Sequence, residues 1–156
     1  MKIKIFALTH KKFEVPQDKM YQPLQVGREE KEDLGYLCDN TGDNISAENC
    51  YYSELTGLYW IWKNVHTYKY VGTCHYRRYL LNEQEKIFTE AEYLELLKDY
   101  DLITTKRVVL NNSYHYGFAT NHNIHALDMT GEVIKELYPE YYDTFVQLVN
   151  GTETYF

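Results

Sequence analysis

The chain has 156 residues, a length that predicts a single domain able to bury a substantial hydrophobic core. Its 44% hydrophobic and 25% charged residues are normal for a globular protein, but its 17 tyrosines exceed the needs of packing and suit sugars and other amphipathic ligands. The formal net charge of −7 argues against broad nucleic-acid binding, which requires a basic face, so we expect any phosphate contact to be local.

The cysteines and the N-terminal segment indicate the compartment. Cys38, Cys50 and Cys74 are odd in number and form no CxxC pair, which predicts neither a disulfide framework nor a cysteine zinc site and favours a reducing compartment. The N-terminal segment MKIKIFALTHKKF lacks the uninterrupted apolar core of a signal peptide, and no segment approaches the ~20 apolar residues of a membrane span. We therefore predict a cytoplasmic protein.

The first half of the chain predicts a strand, a loop and a helix. Residues 2–8 alternate and then become wholly apolar, as a strand entering a sheet interior does. Residues 13–42 are typical of a loop because prolines, glycines and a charged run interrupt them, and the charged run indicates a solvated face. A helix is predicted to begin at Ser46 as its N-cap and to bury one face, made of Tyr51, Leu55, Leu58, Trp62 and Val65.

The second half adds further strands and helices. Residues 70–75 predict a strand, and residues 89–100 predict a helix with a capping box of Thr89 and Glu92. The remaining predicted elements are a short strand at 101–105, an edge strand at 107–110, and helices at 124–137 and 140–149, the last with Pro139 in its first turn. This alternation predicts an α/β fold with a largely parallel central sheet flanked by helices, in one domain over residues 1–156.

Polar clusters follow the predicted strands and precede the predicted long helix, at residues 9–11, 39–44 and 75–78. Ligands of open α/β sheets collect at the carboxyl ends of the strands, so we expect these clusters to form one site. Arg77 and Arg78 suit phosphate or carboxylate through forked hydrogen bonds, and the N-terminus of the Ser46 helix offers N–H groups to the same anion. Pairing of the arginines with Glu83 or Glu85 stays open as an alternative.

Carboxylates and histidines supply the remaining candidate chemistry. Asp39 and Asp43 suit sugar hydroxyls, a ribose or a divalent ion, although the segment around Gly42 is also an ordinary turn sequence. Glu54 lies on or beside the predicted apolar face, so we expect it to face either a tyrosine or an arginine of the site.

Three histidines, His115, His122 and His125, occur in the segment HYGFATNHNIH. Their H-x6-H-x2-H spacing matches no strong zinc signature, so a zinc hydrolase is only a minor alternative. We favour an acceptor-side loop lined by Tyr114, His115 and Tyr116.

Four segments resemble the DUF4422 family, a bacterial family associated with capsular and exopolysaccharide biosynthesis: DNTGDNISAENCYYSELTGLYWIWKN, YVGTCHYRRYL, YDLITTKR and LYPEYY. The resemblance covers essentially the whole chain. It implies a GT-A-like, Rossmann-like fold and a glycosyltransferase that moves a hexose from a nucleoside diphosphate sugar, with a UDP-sugar expected. The implied acceptor is a cell-surface glycan or its lipid-linked precursor, with peripheral contact at the inner face of the cytoplasmic membrane.

The strand-end clusters, taken together with this resemblance, predict roles for individual residues. Arg77 and Arg78 would face the diphosphate, and Asp43 and His75 are the candidate bases. The expected substrate-binding residues are Thr9, His10 and Lys11 at the nucleotide, Asp39, Asn40, Asn44 and Ser46 at the ribose or sugar, Tyr114 and His115 at the acceptor, and Glu54.

Two differences from the family pattern matter. Members continue beyond the position of the TETYF segment, so we expect the chain to lack the family's C-terminal part, which leaves its activity and the location of the base open. Many GT-A enzymes carry an Asp-x-Asp metal motif where this chain has residues 75–78. Cationic side chains can replace a metal in neutralising a leaving diphosphate, so the need for Mn²⁺ or Mg²⁺ as a cofactor stays open. The alternative function is a non-catalytic glycan-binding or scaffold module of polysaccharide assembly, which would ignore UDP.

Overall fold

The computed structural model describes residues 2–154, apart from the side chain of Glu30. These residues form two compact units that divide between Leu102 and Ile103. The last two residues of the TETYF segment lie outside the described part, and so does the expected continuation beyond it.

A parallel sheet of four strands organises the first unit, in the spatial order β3-β2-β1-β4. The strands are β1 (Ile3–Thr9), β2 (Tyr21–Gln25), β3 (Leu37–Cys38) and β4 (Tyr70–His75). Every residue of β1 is buried, as expected for a central strand covered on both faces. The predicted α/β class with a mostly parallel central sheet is confirmed.

Two of these strands, β2 and β3, lie in the segment that was predicted to be a loop, and this prediction was wrong. Pro23 argued against a strand because proline has no N–H to donate to a ladder. In the structure Pro23 pairs with Ala7 of β1, whereas β3 pairs with β2 only at Leu24 and Gln25. Pro23 therefore has a strand neighbour on one side only, where a missing donor is tolerated.

One face of the sheet is covered by α2 (Leu55–Asn64), which follows a short helix, α1 (Asn49–Tyr52). The core on this face consists of Phe6, Leu8, Leu24, Val26, Trp60 and Ile61. The backbone of α2 lies directly against the sheet at Gly57, where an added Cβ would meet Val26 Cγ1 at 2.6 Å and Leu8 Cδ2 at 2.9 Å. A small residue at position 57 thus sets the distance between helix and sheet.

The predicted long helix differs from the observed one in both its start and its buried face. Ser46 begins a three-residue 3-10 turn. The helix is then interrupted at Ser53, whose φ is 49°, before α2 begins. The buried residues of α2 are Thr56, Gly57, Trp60 and Ile61, whereas Tyr51, Leu55, Leu58 and Trp62 are exposed. The face with small residues is buried because it alone allows the close approach at Gly57.

The opposite face of the sheet meets the segment that leads into α3 (Glu90–Leu96). Tyr21 of β2 donates its hydroxyl to the Phe88 carbonyl at 3.0 Å and packs edge-to-face against Tyr79. The predicted capping box of Thr89 and Glu92 is present. Glu90, the first residue of α3, accepts hydrogen bonds from the backbone N–H groups of residues 2 and 3, at 2.6 and 3.2 Å. It thereby joins α3 to the start of β1.

The second unit consists of three helices and a two-stranded antiparallel sheet. Its elements are α4 (Tyr114–Asn121), α5 (Ile124–Leu137), α6 (Tyr142–Asn150), β5 (Val108–Val109) and β6 (Glu153–Thr154). The predicted helix at 124–137 is confirmed, and α6 starts later than predicted because Pro139–Tyr141 form a 3-10 turn. Residues 101–105 form no strand. Across residues 2–154, no helix is both long enough and apolar enough to cross a membrane.

Candidate functional site

The carboxyl ends of the four parallel strands meet at one edge of the sheet. The ladder pairs Thr9 with Gln25, Gln25 with Cys38, and Leu8 with His75. The polar clusters at residues 9–11, 39–44 and 75–78 therefore all begin at this edge, where ligands of parallel sheets bind.

Tyr76, the first residue after β4, is the centre of a group of cations. It is buried, and its backbone N–H donates to the Leu8 carbonyl at 3.1 Å. Its ring centroid lies 5.0 Å from the Arg77 guanidinium carbon and 5.6 Å from Lys11 Nζ, and the His10 ring meets it edge-on at 5.5 Å. These distances suit cation–π contacts, which hold positive groups over an aromatic ring.

We call His10, Lys11, Arg77 and Arg78 the cation cluster. All four side chains are exposed. Within the part of the chain that the structure describes, neither arginine forms a salt bridge, so the alternative pairing with Glu83 or Glu85 is not observed. An exposed group of cations without carboxylate partners is suited to binding an anion from solution.

Tyr76 is only 4% exposed, and its buried hydroxyl has no hydrogen-bond partner among the described residues. Leaving a buried hydroxyl unpaired costs roughly 1–3 kcal/mol, so native structures rarely tolerate it without a reason. The Tyr76 ring contacts Lys11 and Arg77, and burial of its unpaired hydroxyl lowers the free energy of unfolding.

His75 links the end of β4 to the start of α2. Its Nδ1 accepts a 3.2 Å hydrogen bond from the Arg77 backbone N–H, and its Nε2 lies 3.4 Å from Glu54 Oε1. Because Nδ1 is an acceptor, the neutral ring carries its proton on Nε2, the nitrogen near the Glu54 carboxylate. Glu54 thus has a histidine partner, where the sequence led us to expect a tyrosine or an arginine.

Burial lowers the pKa of His75 below its ordinary value. The carboxylate of Glu54 acts in the opposite direction, while Arg77, Arg78 and His10 add to the lowering. His75 is therefore neutral at pH 7, and both of its ring nitrogens already have partners.

Asp39 lies inside the protein and differs from the ligand-binding residue that was predicted. It is 0% exposed, and its two oxygens accept four hydrogen bonds, from Gly27 N at 2.8 Å, Arg28 N at 3.1 Å, Ser46 Oγ at 2.6 Å and Thr56 Oγ1 at 2.7 Å. A carboxylate accepts about four hydrogen bonds in all, so none is left for a sugar or a metal ion. Asp39 is instead the centre of a buried network that joins β2, β3 and α2.

Ser46 and Thr9 are also committed to the protein, contrary to the roles predicted for them. Ser46 is 1% exposed, its hydroxyl donates to Asp39, and its N–H donates to Asn44 Oδ1 at 3.1 Å. Thr9 is 1% exposed and uses its hydroxyl to close a turn with Lys11, accepting from the N–H at 3.1 Å and donating to the carbonyl at 2.5 Å. Thr9 therefore shapes the turn that presents His10 and Lys11.

Asp43 is tied to the later part of α2. Its oxygens meet the Tyr59 hydroxyl at 3.0 Å and Lys63 Nζ at 3.7 Å, and its N–H donates to Asn64 Oδ1 at 3.3 Å. At a rise of 1.5 Å per residue, Lys63 lies about 14 Å along the helix from Glu54. The two predicted bases, Asp43 and His75, thus lie at different ends of α2.

Other side chains of the 39–44 loop also bond within the protein. Asn40 Nδ2 donates to Glu29 Oε2 at 3.3 Å, and Asn44 Nδ2 donates to the Gly42 carbonyl at 3.0 Å. The buried indole of Trp60 donates to the Thr41 carbonyl at 2.9 Å. This loop is held to α2 at several points, so its turn chemistry serves the fold.

The second unit contains Tyr114 and His115, at the start of α4. His115 Nε2 lies 3.7 Å from Asp128 Oδ1 of α5, and His122 stacks on Phe118. These residues belong to a different compact unit from the strand-end residues. Among residues 2–154 no group of three or more histidine, cysteine, aspartate or glutamate side chains could hold a metal ion.

The roles of three residues at this edge, Tyr76, Thr56 and Ser53, were not predicted from the sequence. Tyr76 stands between His75 and the two arginines, and that position alone marked it as a ring that cations could contact. Thr56 is a polar residue within an apolar helical segment, which signals a buried hydrogen bond. Ser53 gave no signal, because a positive φ at a serine is not written in the sequence.

Comparisons with known proteins extend over the whole chain. The DUF4422 family, described as a domain of unknown function, matches residues 4–156. The apo structure of WbbM, a bifunctional glycosyltransferase, is similar at a TM-score of 0.83 and 29% sequence identity, over 99% of this chain and 32% of that one. This chain thus spans about a third of the length of WbbM. No curated protein matches the sequence.

Proposed function

The chain belongs to the DUF4422 family, and we propose that it is a glycosyltransferase domain that uses a nucleoside diphosphate sugar as donor. The similarity to WbbM, a bifunctional glycosyltransferase, supports glycosyl transfer as the reaction class. The cation cluster supports a diphosphate as the leaving group, and it is the observation that carries the proposal.

The chemistry of glycosyl transfer explains why a cation cluster is useful. Charge develops on the diphosphate as its bond to the anomeric carbon breaks, and preorganised positive groups stabilise that charge. Arg77 and Arg78 are free to approach phosphate oxygens, and Lys11 and Arg77 both contact the Tyr76 ring. The cluster offers this stabilisation from side chains alone.

A divalent metal does not fit the residues at this edge. Mn²⁺ and Mg²⁺ prefer several carboxylate, carbonyl and water oxygens, whereas the residues after β1 and β4 are imidazole, ammonium and guanidinium groups with the single carboxylate of Glu54 beside them. The carboxylate of Asp39 is occupied by four donors. We therefore assign neutralisation of the leaving group to the cation cluster.

The finer parts of the proposal follow from the family resemblance. The donor is a UDP-sugar that carries a hexose, and the acceptor is a growing capsular or exopolysaccharide chain or its lipid-linked precursor. Transfer takes place in the cytoplasm, at the inner face of the membrane where such an acceptor is anchored. His10 and Lys11 then bound the nucleotide.

A thermal-shift screen tests the donor. UDP-, GDP-, CDP- and TDP-sugars are compared with and without Mn²⁺, because a ligand that binds only the folded state raises the melting temperature. We expect the largest shift with UDP-sugars and the same shift without metal. If no nucleotide sugar stabilises the protein, the proposal is wrong, and a metal requirement would contradict the role of the cation cluster.

Variants of the two arginines locate the diphosphate. Replacing Arg77 or Arg78 by alanine removes a hydrogen bond to a charged group, worth roughly 1.5–3 kcal/mol, or about ten- to hundredfold in donor affinity. Lysine keeps the charge but not the planar fork, so it restores the affinity only in part. Calorimetry should find this loss for UDP and not for uridine, and Lys86→Ala, which removes an exposed cation elsewhere, should bind UDP as wild type does.

The same experiments identify the alternative function. A non-catalytic glycan-binding module would leave uridine, UDP and UDP-sugars unbound and would bind oligosaccharides through exposed aromatic residues such as Tyr51 and Trp62. Saturation-transfer NMR with glycan fragments distinguishes that outcome.

A further inference from the structure

Glu54 directly follows a strained residue of the first unit. The preceding residue, Ser53, has φ 49° and ψ −126°, a conformation that costs a non-glycine residue about 1–3 kcal/mol and is found most often at functional sites. The carbonyl of Ser53 accepts a 2.6 Å hydrogen bond from Asn49 Nδ2. The Asn49 side chain therefore fixes the backbone before Glu54.

This strained position is connected to the buried network. Asn49 Nδ2 also donates to Thr56 Oγ1 at 3.1 Å, and the Thr56 hydroxyl donates to Asp39, which in turn accepts from the N–H groups that follow β2. The network thus determines where α2 begins and where the side chain of its N-cap, Glu54, projects. The buried Asp39 carboxylate acts on the site through this chain of contacts.

The side chain of Glu54 is half-exposed, at 51%, and only one of its oxygens faces His75. Nε2 of the neutral His75 ring lies 3.4 Å from Oε1, while the Arg77 N–H donates to Nδ1 and fixes the orientation of the ring. Oε2 is left to meet a substrate. Glu54 is an exposed carboxylate next to His75 and near the cation cluster. It is therefore suited to accept a proton from a hydroxyl group while the cation cluster binds the diphosphate.

We propose that Glu54 is the general base that deprotonates the acceptor hydroxyl and that His75 is its positioning residue, an inference that rests on the proposed glycosyl transfer. The acceptor proton moves to Glu54 Oε2, and the acceptor oxygen forms a bond with the anomeric carbon of the donor. The bond from that carbon to the phosphate oxygen breaks, and its electron pair leaves with the nucleoside diphosphate. Attack opposite the leaving group inverts the anomeric configuration.

The other candidate bases are engaged elsewhere. Both oxygens of Asp43 have partners on α2, and both ring nitrogens of His75 have partners at the end of β4 or on Glu54. Asp39 is fully buried. Glu54 is the carboxylate beside His75, and its Oε2 has no partner among the described residues.

A matched pair of substitutions tests the role of Glu54. Glu54→Gln and Glu48→Gln both replace an exposed carboxylate that lies within ten residues on the same stretch of chain. Turnover is followed as UDP release from UDP-glucose and UDP-galactose with octyl glycosides as stand-in acceptors, and UDP affinity is measured by calorimetry. We expect Glu54→Gln to lose roughly 10²–10⁴-fold in turnover while it binds UDP as wild type does. Glu48→Gln should keep both the turnover and the UDP affinity of the wild type.

The outcomes separate the two proposals. If Glu54→Gln turns over at the wild-type rate, or loses UDP affinity to the same extent as turnover, Glu54 is not the base even though the glycosyltransferase assignment stands. If the wild type binds UDP but transfers no sugar to any acceptor, the general-base role is wrong together with the catalytic assignment. Product NMR gives a further criterion, because retention of the anomeric configuration would contradict a base of this kind.

The split between kcat and KM tests His75 as a positioning residue. His75→Ala should lower kcat while the KM for the UDP-sugar and the UDP affinity stay near the wild-type values, because the ring orients Glu54 and not the donor. The other side chains around the pair are those of His10, Arg77 and Arg78, and they remain in this variant. An unchanged kcat in His75→Ala with unchanged UDP affinity would show that the histidine does not act on Glu54.

Discussion

The hydroxyl of Thr56 donates a 2.7 Å hydrogen bond to the buried carboxylate of Asp39 and thereby joins the end of β3 to the first turn of α2. Three further donors converge on the same carboxylate, from residues 27, 28 and 46. The position of the site residues thus depends on a contact that no ligand can reach.

Asp39→Asn should destabilise the first unit strongly. Asparagine places an NH₂ group where donors already point, so about two hydrogen bonds to a charged acceptor are lost and a buried N–H faces other N–H and O–H groups. We expect a loss of at least about 3 kcal/mol in the free energy of unfolding. Urea unfolding followed by tryptophan fluorescence measures it, because both tryptophans lie in this unit. Asp101→Asn, at an exposed position, should change little, and equal effects would contradict the buried network.

Gly57→Ala should destabilise the protein even though alanine favours helix. The helix propensity gains about 1 kcal/mol, but a Cβ at 2.6 Å from Val26 overpacks the core, which costs about 1–3 kcal/mol, so we expect a net loss of up to about 2 kcal/mol. Gly72→Ala in β4 is the control, since its Cβ would meet Ile5 at an ordinary 3.4 Å. Urea unfolding midpoints compare the two, and a stabilised Gly57→Ala would show that α2 can move away from the sheet.

Glu90 should make the stability of the first unit depend on acid pH. The backbone N–H groups of residues 2 and 3 hold the pKa of Glu90 below its ordinary value. A lowered pKa in the folded state means that the carboxylate stabilises the fold above its unfolded pKa of about 4.3, and that this contribution disappears as pH falls through the lower folded value. Glu90→Gln should therefore reduce the melting temperature at pH 7, and the difference from wild type should shrink at acid pH. Glu83→Gln should show no such trend, and a gap that widens in acid would contradict the assignment.

Two substitutions at Tyr76 separate its ring from its hydroxyl. Tyr76→Phe keeps the ring and removes an unpaired buried hydroxyl, so the free energy of unfolding should stay the same or rise by up to about 3 kcal/mol. Tyr76→Leu removes the cation–π contacts with Lys11 and Arg77, which are worth about 0.5–1 kcal/mol each, and should weaken UDP binding by about tenfold. Calorimetry and thermal unfolding measure the two effects. A Leu variant that is folded and binds UDP as wild type does would show that the ring does not organise the cations.

The sequence predicted the elements whose signals are local. The apolar start of β4 and the capping box at Thr89 lie within a few residues, so both were found at their observed positions. The strands β2 and β3 were missed because their stability comes from pairing with β1, and Pro23 concealed the pattern. The buried face of α2 was wrong because Gly57 and Thr56, the smaller residues, determine how closely it approaches the sheet.

The candidate site shows the same division. Arg77, Arg78, His10 and Lys11 could be selected from the sequence because they directly follow strands, and the structure places them together at one edge. The interior role of Asp39 could not be predicted, since it depends on hydrogen bonds from residues 12 positions before it and 17 positions after it. The pairing of Glu54 with His75 depends on a break at Ser53 that the sequence does not encode in any recognisable motif.

The hydrogen bond from the Trp60 indole to Thr41 gives the 39–44 loop an optical reporter. Trp60 is 7% exposed, whereas Trp62, two residues later, is 65% exposed. A water-soluble quencher therefore suppresses the emission of Trp62 first, and the remaining signal comes from the indole that touches the loop. Detachment of the loop from α2 would shift that residual emission to longer wavelength, so its ordering can be followed in solution without any added label.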